Sequence, residues 1–486
     1  MRWPWSKRVK SAVKTAVRYI RAKFDSAQTT PDNTRHWASA DFLSANAAAR
    51  PDVRRILHNR ARYEVANNSY ARGIVLTLAN DVIGTGPRLQ MLLGDGQNTG
   101  ADSINGLIEG EFAAWGKAID LPGKLRTMRM SRAQDGEAFG MFHTNTRLDA
   151  PVQLDVKLIE ADQVATPMFS LPTPTLVDGV VLDDMGNPVA YHVLDSHPGE
   201  LLHTYPLKYQ VVSAECMVHW FRKDRPGQNR GLPDIMPALP LFAQLRRYTL
   251  AVIAAAETAA DFAAVLFTDA PANGESQSLE PMDVVALEKR MATVLPDGWR
   301  LGQIEAQQPT TTYEMFKREI LNEIARAVGM PYSIAACNSS GYNYASGRLD
   351  HQTYFKSIRV EQAQCEAVVL DRILDAWMAE AVKAYPELAG LDEWPHQWFW
   401  DGHEHVDPQK EASAQAQRLA SNTTTLAAEY ARQGKDWESE LRQRAKEVKL
   451  MNELGLTPQQ SMPSQPAQNK EEADSEDGQD NRRRAA

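Results

Sequence analysis

Two regions of the chain differ in how their apolar residues are spaced. From about 124 to 222, short runs alternate apolar and polar residues, and Asp178-Gly179 and Met185-Gly186-Asn187-Pro188 separate these runs as hairpin turns do. Elsewhere apolar residues recur at helical spacing, in 35–80, about 236–267, 311–329, roughly 349–383 and 408–454. The pattern predicts an α+β fold, in which a largely antiparallel, β-rich body is set against long helices.

Two of the predicted helices enclose a polar segment. The first, Met236 to Phe267, is rich in alanine in its second half, and small side chains let neighbouring helices approach closely, as in a ring of identical helices. A core helix in a monomer is the alternative. The second begins at a capping-box pattern, Thr311–Glu314, and ends at Gly329. Residues 268–310, with a short helix predicted over 282–293 and a strand near 299–304, fit a small projecting subdomain.

A polar loop, Ala336–Arg348, precedes the helix that is predicted to start at Leu349. It carries amides, hydroxyls, two tyrosines and one arginine. These groups offer hydrogen bonds to phosphate and aromatic faces to DNA without a dense positive charge. The composition therefore fits a surface that touches nucleic acid without holding it, and an ordinary surface loop is the alternative.

The composition of the chain excludes several classes of protein. A chain of 486 residues, 43% hydrophobic and 24% charged, has enough apolar surface for several globular domains. Its net charge of −9 argues against a surface that grips nucleic acid everywhere, because Lys and Arg supply most non-specific affinity. The three cysteines, Cys216, Cys337 and Cys365, form no CxxC pair, which predicts neither disulfides nor a zinc site and suits a reducing cytoplasm. The longest apolar runs are too short to predict a membrane span.

The two ends of the chain depart from this balance. Eight Lys and Arg residues precede the first acid, Asp25, and Val9, Val13 and Val17 lie four apart, which predicts a basic amphipathic helix within residues 1–34. Three interpretations stay open: a terminus that docks only in an assembly, a contact with nucleic acid or a scaffold protein, and a helix on a membrane surface. Residues 457–486, rich in Gln, Ser, Glu and Asp, are predicted to be a disordered acidic tail.

Acid clusters are the first candidates for catalytic chemistry. Asp135-Gly136-Glu137 and Glu160-Ala161-Asp162 lie inside the β-rich body, where paired carboxylates suit metal binding or acid–base work. Neither cluster has a second ligand group at fixed spacing, so acids at turns or strand edges are the favoured interpretation. His403-Glu404-His405 resembles a metal site but has no evident third ligand, and a loop is favoured there.

Phosphate-binding motifs are the second candidates. Gly84-Thr85-Gly86-Pro87 follows a helix, lacks Lys-Ser/Thr and is interpreted as a helix end that turns into a strand at Arg88. Gly110–Lys117 has the wrong spacing for a P-loop, and Ala118 stands where Ser or Thr is needed. The sequence therefore predicts no enzyme, no catalytic residue, no metal and no cofactor.

Several sequence blocks, taken together and in order, resemble the lambda-type portal proteins of tailed bacteriophages over most of residues 35–455. The blocks are Asn67–Gly73, Asn80–Pro87, Asp135–Glu137, Arg225–Gly231, the alanine-rich helix, and Met330-Pro331 running into Asn343–Arg348. The resemblance implies a ring, usually of twelve subunits, with wing, stem, clip and crown regions around an axial channel.

The resemblance also implies a division of the chain. The expected parts are a basic N-terminal segment (1–34), a wing with a helical start and β-rich body (35–232), stem helix 1 (233–267), the clip (268–310), stem helix 2 (311–331), a tunnel loop (332–348), the long wing helix and following loop (349–406), the crown (407–456) and the acidic tail (457–486). The residues expected to face DNA in the channel are Asn338, Ser339, Ser340, Tyr342, Asn343, Tyr344 and Arg348.

A function and partners follow from the same resemblance. The chain is expected to form a homo-oligomeric ring at one capsid vertex, the channel for packaging and ejection of double-stranded DNA without sequence specificity. The expected partners are further copies of itself, DNA, terminase, the major capsid or scaffold protein, and the head-completion or connector protein, with no membrane. The expected location is the virion, after assembly in the host cytoplasm.

Overall fold

The computed structural model describes most of the chain. The described residues are 27–28, 30–31, 34–94, 99–167, 173, 175–201, 208–261, 265–268, 299–302, 311–402, 408–435 and 437–456. The basic residues before Asp25, the predicted helix 282–293, His403-Glu404-His405 and the acidic tail lie outside them. The chain divides into two compact units, Met1–Trp398 and Phe399–Ala486. Among the helices of the described part, none has the length and apolarity needed to cross a membrane.

The first unit begins with helices α1 (Ala45–Ala48), α2 (Pro51–Asn67) and α3 (Ser69–Ile83). The prediction of helix over 35–80 was wrong for 35–44, which are turns and irregular backbone, and the run also breaks at Ala49-Arg50 and at Asn68. Asn68 has an extended backbone that ends α2, and its Oδ1 accepts hydrogen bonds from the backbone N–H groups of Tyr70 and Ala71. An asparagine side chain satisfies the first amides of a new helix, so the two helices meet at a cap. After α3, Gly84 and Gly86 have positive φ, and the chain turns into strand β1 (Arg88–Met91), as predicted.

Two further helices were not predicted. Helix α4 spans Thr99–Ala118, and α5 spans Leu121–Asp135, so the expectation of strands from residue 124 was wrong for its first twelve positions. In α5 the buried face includes Arg129 and Arg132 beside Leu125 and Met128. Because cations occupy positions that are normally apolar, the helical period is hidden in the sequence.

The β-rich body follows, largely as predicted. Within its described residues the strands are β2 (Glu137–Thr144), β3 (Leu154–Ile159), β4 (Leu176–Val177), β5 (Val180–Leu182), β6 (Pro188–Leu194), β7 (Tyr209–Ser213) and β8 (Met217–Phe221). They form two antiparallel sheets, one in the order β3-β2-β8 and one in the order β4-β5-β6-β7. One buried apolar cluster, including Phe139, Tyr191 and Met217, joins the two sheets.

A pair of helices follows the body. Helix α6 covers Leu239–Asp261 and α7 covers Thr311–Ala327, and the Tyr248 ring on α6 stacks on Tyr313 of α7 with centroids 5.7 Å apart. Gly329 has a φ of 69° beyond the end of α7, as a glycine terminator requires. The predicted extension of the first helix to Phe267 was wrong, because Val265–Thr268 form strand β9. It pairs with β10 (Trp299–Gly302), the strand predicted near 299–304.

The remaining elements of the first unit are α8 (Tyr332–Ala335), α9 (Tyr344–Cys365), a π-helical segment (Glu366–Leu370), α10 (Asp371–Ala384) and β11 (His396–Phe399), which pairs with β1. The long helix therefore starts five residues before the predicted Leu349. The second unit contains α11 (Pro408–Ala420), α12 (Leu426–Arg432) and α13 (Trp437–Glu453), so the prediction of helices over 408–454 is confirmed.

Candidate nucleic-acid interface

The predicted DNA-facing residues lie on two elements and not on one loop. Asn338, Ser339, Ser340, Tyr342 and Asn343 belong to the connection between α8 and α9, whereas Tyr344 is the first residue of α9 and Arg348 lies in its second turn. The first three loop residues and Arg348 are exposed, and Tyr342 is half-buried. The structure thus brings an exposed polar turn to the N-terminal end of a 22-residue helix.

The turn is held by its own side chains. Asn338 Oδ1 accepts hydrogen bonds from the Ser340 backbone N–H, at 2.9 Å, and from Ser340 Oγ, at 2.6 Å. Cys337 and Gly341 take positive φ values of 50° and 84°, which reverse the chain on either side of this pair. Asparagine and serine bind their own backbone in this way in tight turns. The turn therefore has a defined shape, and the predicted loop ends at Asn343, five residues before the predicted Arg348.

Asn343 has a structural role that the sequence did not reveal. Its Oδ1 accepts a hydrogen bond from the Ser346 backbone N–H at 2.8 Å, and Ser346 Oγ donates to the Asn343 carbonyl at 3.2 Å. Asn343 is thus the N-cap of α9, with its side-chain oxygen already engaged. The tyrosine and glycine that follow, Tyr344 and Gly347, are weak helix formers, which is why the start of α9 was placed too late.

A second cation, Arg318 on α7, lies beside the turn and was missed by the sequence analysis. A Cβ atom built on Gly341 would lie 3.8 Å from Arg318 Nη1, and the Arg318 guanidinium lies 5.4 Å from the centre of the Tyr332 ring. Arg318 is exposed. Arg318 thus adds positive charge beside the turn, Arg348 is an exposed cation in the second turn of α9, and the N-terminal end of α9 adds the positive end of a helix dipole.

The Asp135-Gly136-Glu137 and Arg225–Gly231 blocks meet in a separate, buried ionic cluster. Glu137 is fully buried, and its Oε1 accepts hydrogen bonds from Arg54 at 2.5 Å and from Arg230 at 2.6 Å, while its Oε2 accepts from the Gly231 N–H at 2.9 Å. Burial alone would raise the pKa of Glu137, but the charges of Arg230 and Arg54 hold that pKa well below its usual range. The carboxylate is therefore an ion-pair partner.

The other acids of the two predicted clusters are also paired. Arg62 Nε donates to Asp135 Oδ1 at 2.6 Å, and Arg62 Nη1 lies 2.7 Å from Asp162 Oδ2. His58 Nδ1 lies 3.1 Å from Asp162 Oδ1. Arg62 and His58 are thus the partners of these carboxylates, and among the described residues no group of three potential ligands converges. Acids at turns and strand edges, the favoured interpretation, match this arrangement.

The alanine-rich helix α6 is exposed where its side chains are smallest. Ala251, Ala254 and Ala255 are exposed, and so are Leu250, at 58%, and Ile253, at 48%. On the neighbouring α7, Met315 and Phe316 are 64% and 46% exposed. Side chains of this kind are normally covered in a finished assembly. The single chain therefore presents an unpartnered apolar face on its helix pair.

Comparison with known proteins identifies the family. The family described as phage portal protein, lambda family, matches residues 30–362. A probable portal protein of Halomonas phage phiHAP-1 is 25% identical over 429 residues, which cover 82% of this chain and 81% of that protein.

Among solved structures, chains from gene transfer agent particles show a partial structural likeness to this chain. A chain from the neck of an empty particle, computed with C6 symmetry, has 14% identity and a TM-score of 0.42, covering 77% of this chain and 92% of its own length. A chain from the neck of a native particle, computed with C12 symmetry, has 12% identity and a TM-score of 0.40, covering 79% and 94%. The family match, which spans more than half of the sequence, decides the assignment: the chain belongs to the lambda family of phage portal proteins.

Proposed function

We propose that this chain assembles into a ring of twelve copies at one capsid vertex and forms the channel through which double-stranded DNA enters and leaves. The observation that carries the proposal is the apolar face of α6 and α7, which includes Leu250, Ile253 and Met315 and is exposed in the single chain. In a ring, contacts run head to tail, so each copy would cover this face with a different surface of its neighbour's helix pair. Family membership supports the same assembly.

The channel lining is proposed from the turn before α9. Arg348 and Arg318 supply two isolated cations, and Ser339 and Ser340 are exposed beside them. Phosphate contacts of this kind position DNA without reading its sequence. Twelve copies with a net charge of −9 each would carry on the order of −100 charges, which disfavours tight adsorption of a polyanion and favours sliding.

The partners are proposed from the family resemblance. The segment 268–310, carried between α6 and α7, is the proposed clip and would dock terminase during packaging and the head-completion or connector protein afterwards. The β-rich body and the long helix α9–α10 form the proposed wing, which would meet the major capsid or scaffold protein. The finished ring would be part of the virion, after assembly in the host cytoplasm.

Native mass measurement and negative-stain imaging of the purified protein test the ring. The expected result is a particle with a central hole and a mass near twelve times 54.2 kDa. A protein that stays a monomer or dimer at every concentration and salt condition, with and without scaffold protein, would exclude the ring.

A further inference from the structure

A groove of about 720 Å³ opens on the first unit, between the outer end of β8 and the helix formed by α9, the π-helical segment and α10. This volume lies within the range of about 300–1,000 Å³ that is usual for ligand pockets. Arg129, Arg132 and His219 form its buried base, and Phe221, Lys223 and Val360 lie at its more open side. None of these residues belongs to the helix pair or to the turn before α9.

Positive charge dominates the groove. Five cationic side chains line it, Arg129, Arg132, Arg222, Lys223 and Arg372, against two carboxylates, Asp234 and Glu361. Asp224 pairs with Arg222 from outside the lining, which leaves a local excess of two positive charges. The chain as a whole carries −9. A concentration of cations on an acidic protein requires an explanation, because like charges at close range destabilise the fold unless something neutralises them.

The two carboxylates are already engaged with three of these arginines, the buried Arg129 and Arg132 and the half-exposed Arg222. Asp234 lies 3.1 Å from Arg129 Nη1 and 3.1 Å from Arg222 Nη1, and Glu361 pairs with Arg129 and Arg132. Burial lowers the pKa of Arg132, an effect that the charge of Glu361 opposes. The inner pairs therefore consume the negative charge of the groove and leave the outer cations unneutralised.

Lys223 and Arg372 are these outer cations. The Lys223 ammonium lies 5.8 Å from the centre of the Phe221 ring, and Arg372 Nη2 donates to the carbonyl oxygens of Ala214 and Glu215. Within the described part of the chain, neither forms an ion pair with a carboxylate. Arg132 Nε is buried there without a hydrogen-bond partner, on a residue that is 3% exposed. A buried guanidinium nitrogen of this kind points to an acceptor that binds from outside.

We propose that this groove binds the acidic segment 471–480 of the chain, in the same subunit or in a neighbouring copy. The segment reads Glu-Glu-Ala-Asp-Ser-Glu-Asp-Gly-Gln-Asp, with six carboxylates in ten residues and no cation. In an extended peptide, side chains on one face recur about every 7 Å, so successive carboxylates can reach different cations. Carboxylates that pair with guanidinium groups make strong, charge-assisted hydrogen bonds.

The shape of the groove favours a peptide over DNA. Its base is formed by nearly fully buried side chains, and the apolar residues Tyr191, Ile358 and Val360 also line it. Duplex DNA presents phosphates on a broad rigid surface and cannot bring them to a recessed base, whereas a single extended chain can.

Photo-crosslinking of the full-length protein tests the occupant directly. A p-benzoylphenylalanine residue replaces Val360, which is 67% exposed at the groove, and a control protein carries it at Ile56, 49% exposed on α2. The expected result is a crosslink from position 360 to a peptide that contains residues 471–480, absent from the control. On a denaturing gel, a product of monomer mass assigns the segment to the same subunit, and a product of dimer mass assigns it to a neighbour.

A binding measurement tests the charge complementarity. Full-length protein with the six acids of 471–480 changed to Gln or Asn leaves the groove open to a fluorescent peptide of residues 467–481, followed by anisotropy. Lys223→Glu with Arg372→Gln is expected to weaken binding about tenfold or more, whereas Lys157→Glu, an exposed strand lysine outside the groove, changes it less than about twofold. Added salt should weaken binding in the same direction.

The proposal is overturned by any of three results. These are a crosslink from position 360 only to DNA or to another protein, equal peptide affinity in the groove variant and in Lys157→Glu, and binding of a charge-neutral peptide of the same length with the same affinity. None of the three bears on ring formation, which the native mass reports separately.

Discussion

Gly136 and Gly231 pack directly against each other, so that a Cβ atom on Gly231 would lie closer than 3.0 Å to the carbonyl oxygen of Gly136. Gly136 itself has a φ of 85°, and a Cβ there would overlap the backbone of Leu232. Two sequence blocks almost a hundred residues apart thus meet at their glycines. This contact brings the Gly231 N–H to Glu137 and closes the buried ionic cluster.

Gly231→Ala is therefore expected to destabilise the first unit strongly. The methyl group must displace backbone, and the loss is expected to exceed about 3 kcal/mol of unfolding free energy, measured by denaturant unfolding. The matched control is Gly73→Ala in α3, where a Cβ meets nothing within 4 Å. Alanine favours a helix interior, so the control should be as stable as the parent or more so. Equal behaviour of the two variants would contradict the close contact.

Glu137→Gln is expected to cost about 3–5 kcal/mol, because it leaves Arg54 and Arg230 buried without their counter-charge. The pKa of Glu137 is depressed in the folded state, so its contribution to stability is present above the unfolded pKa and is lost as pH falls below it. Unfolding free energy measured from pH 7 downward should therefore fall below about pH 4.5 in the parent. The variant should show a weaker decline, and an identical acid profile would remove Glu137 from this role.

His219 provides a second pH dependence. Burial lowers its pKa below the usual 6.5, although its Nε2 lies 3.1 Å from Glu137; Tyr191, Arg230 and Arg54 also face this group. The neutral ring is favoured in the folded state, so stability is fully present above about pH 6.5 and declines as pH falls, because the unfolded chain takes up the proton first. His219→Gln should flatten the slope between pH 6.5 and 5. The exposed His36 serves as the control, since His36→Gln should leave the slope unchanged.

Leu250→Glu with Ile253→Glu is expected to prevent ring formation and leave the subunit folded. Both side chains are about half exposed on α6, so the charges cost little in the single chain and much in a contact between copies. Native mass should fall to that of a monomer with an unchanged circular dichroism spectrum. The control Ile56→Glu, at a similar exposure on α2, should still form rings. Rings of normal stability from the double variant would move the interface elsewhere.

Arg348→Glu with Arg318→Glu is expected to slow DNA packaging without affecting the ring. Arg318 lies beside the turn before α9 and Arg348 in the second turn of that helix, and reversal of their charges replaces transient attraction for phosphate by repulsion. Filled capsids are counted as nuclease-protected DNA over time. Arg442→Glu on α13 is the control, as an exposed arginine in the second unit. Packaging rates that do not differ between the two proteins would separate this turn from the DNA path.

The variant Asn343→Ala tests whether Asn343 acts as a helix cap or as a contact to DNA. Removal of the hydrogen bond to the Ser346 N–H is expected to cost about 1 kcal/mol, and Asn343→Asp should restore it because aspartate caps equally well. Thermal unfolding of the three proteins measures the difference. If Asn343→Ala and Asn343→Asp both lose packaging activity while Asn343→Asp keeps the stability of the parent, Asn343 has a role in the channel besides capping α9.

The sequence allowed prediction of those elements whose periodicity is local. Strands such as Leu154–Ile159 alternate cleanly, because one face meets the core and the other does not. Helix α5 escaped prediction because Arg129 and Arg132 occupy its buried face, and their partner Glu361 lies more than 200 residues away. No pattern within a short stretch of sequence predicts a buried ion pair between residues so far apart in the chain.

The polar composition of the loop predicted which residues could form the candidate interface, but the sequence predicted their spatial arrangement only in part. The exposed polar residues Asn338, Ser339 and Ser340 do share one turn, but Arg318 comes from α7 and reaches the turn only through the packing of helices. In the sequence, Arg318 has the position of an ordinary residue on the polar face of an amphipathic helix. Contacts between distant elements determine which polar residues share a site.

The π-helical segment Glu366–Leu370 constrains the length of the whole helix that contains it. On one side, α9 places Tyr354 and Ile358 in the core, and on the other, α10 places Trp377 and Met378 there. A π-helical turn accommodates one extra residue. Deletion of that residue would restore regular α-helical hydrogen bonds but would rotate α10 by about 100° relative to α9. The extra residue of this segment thus sets the rotation of α10 relative to α9, so that the apolar faces of both helices meet the core. A single-residue deletion here would turn Trp377 towards water, whereas a longer change in an exposed loop would be tolerated.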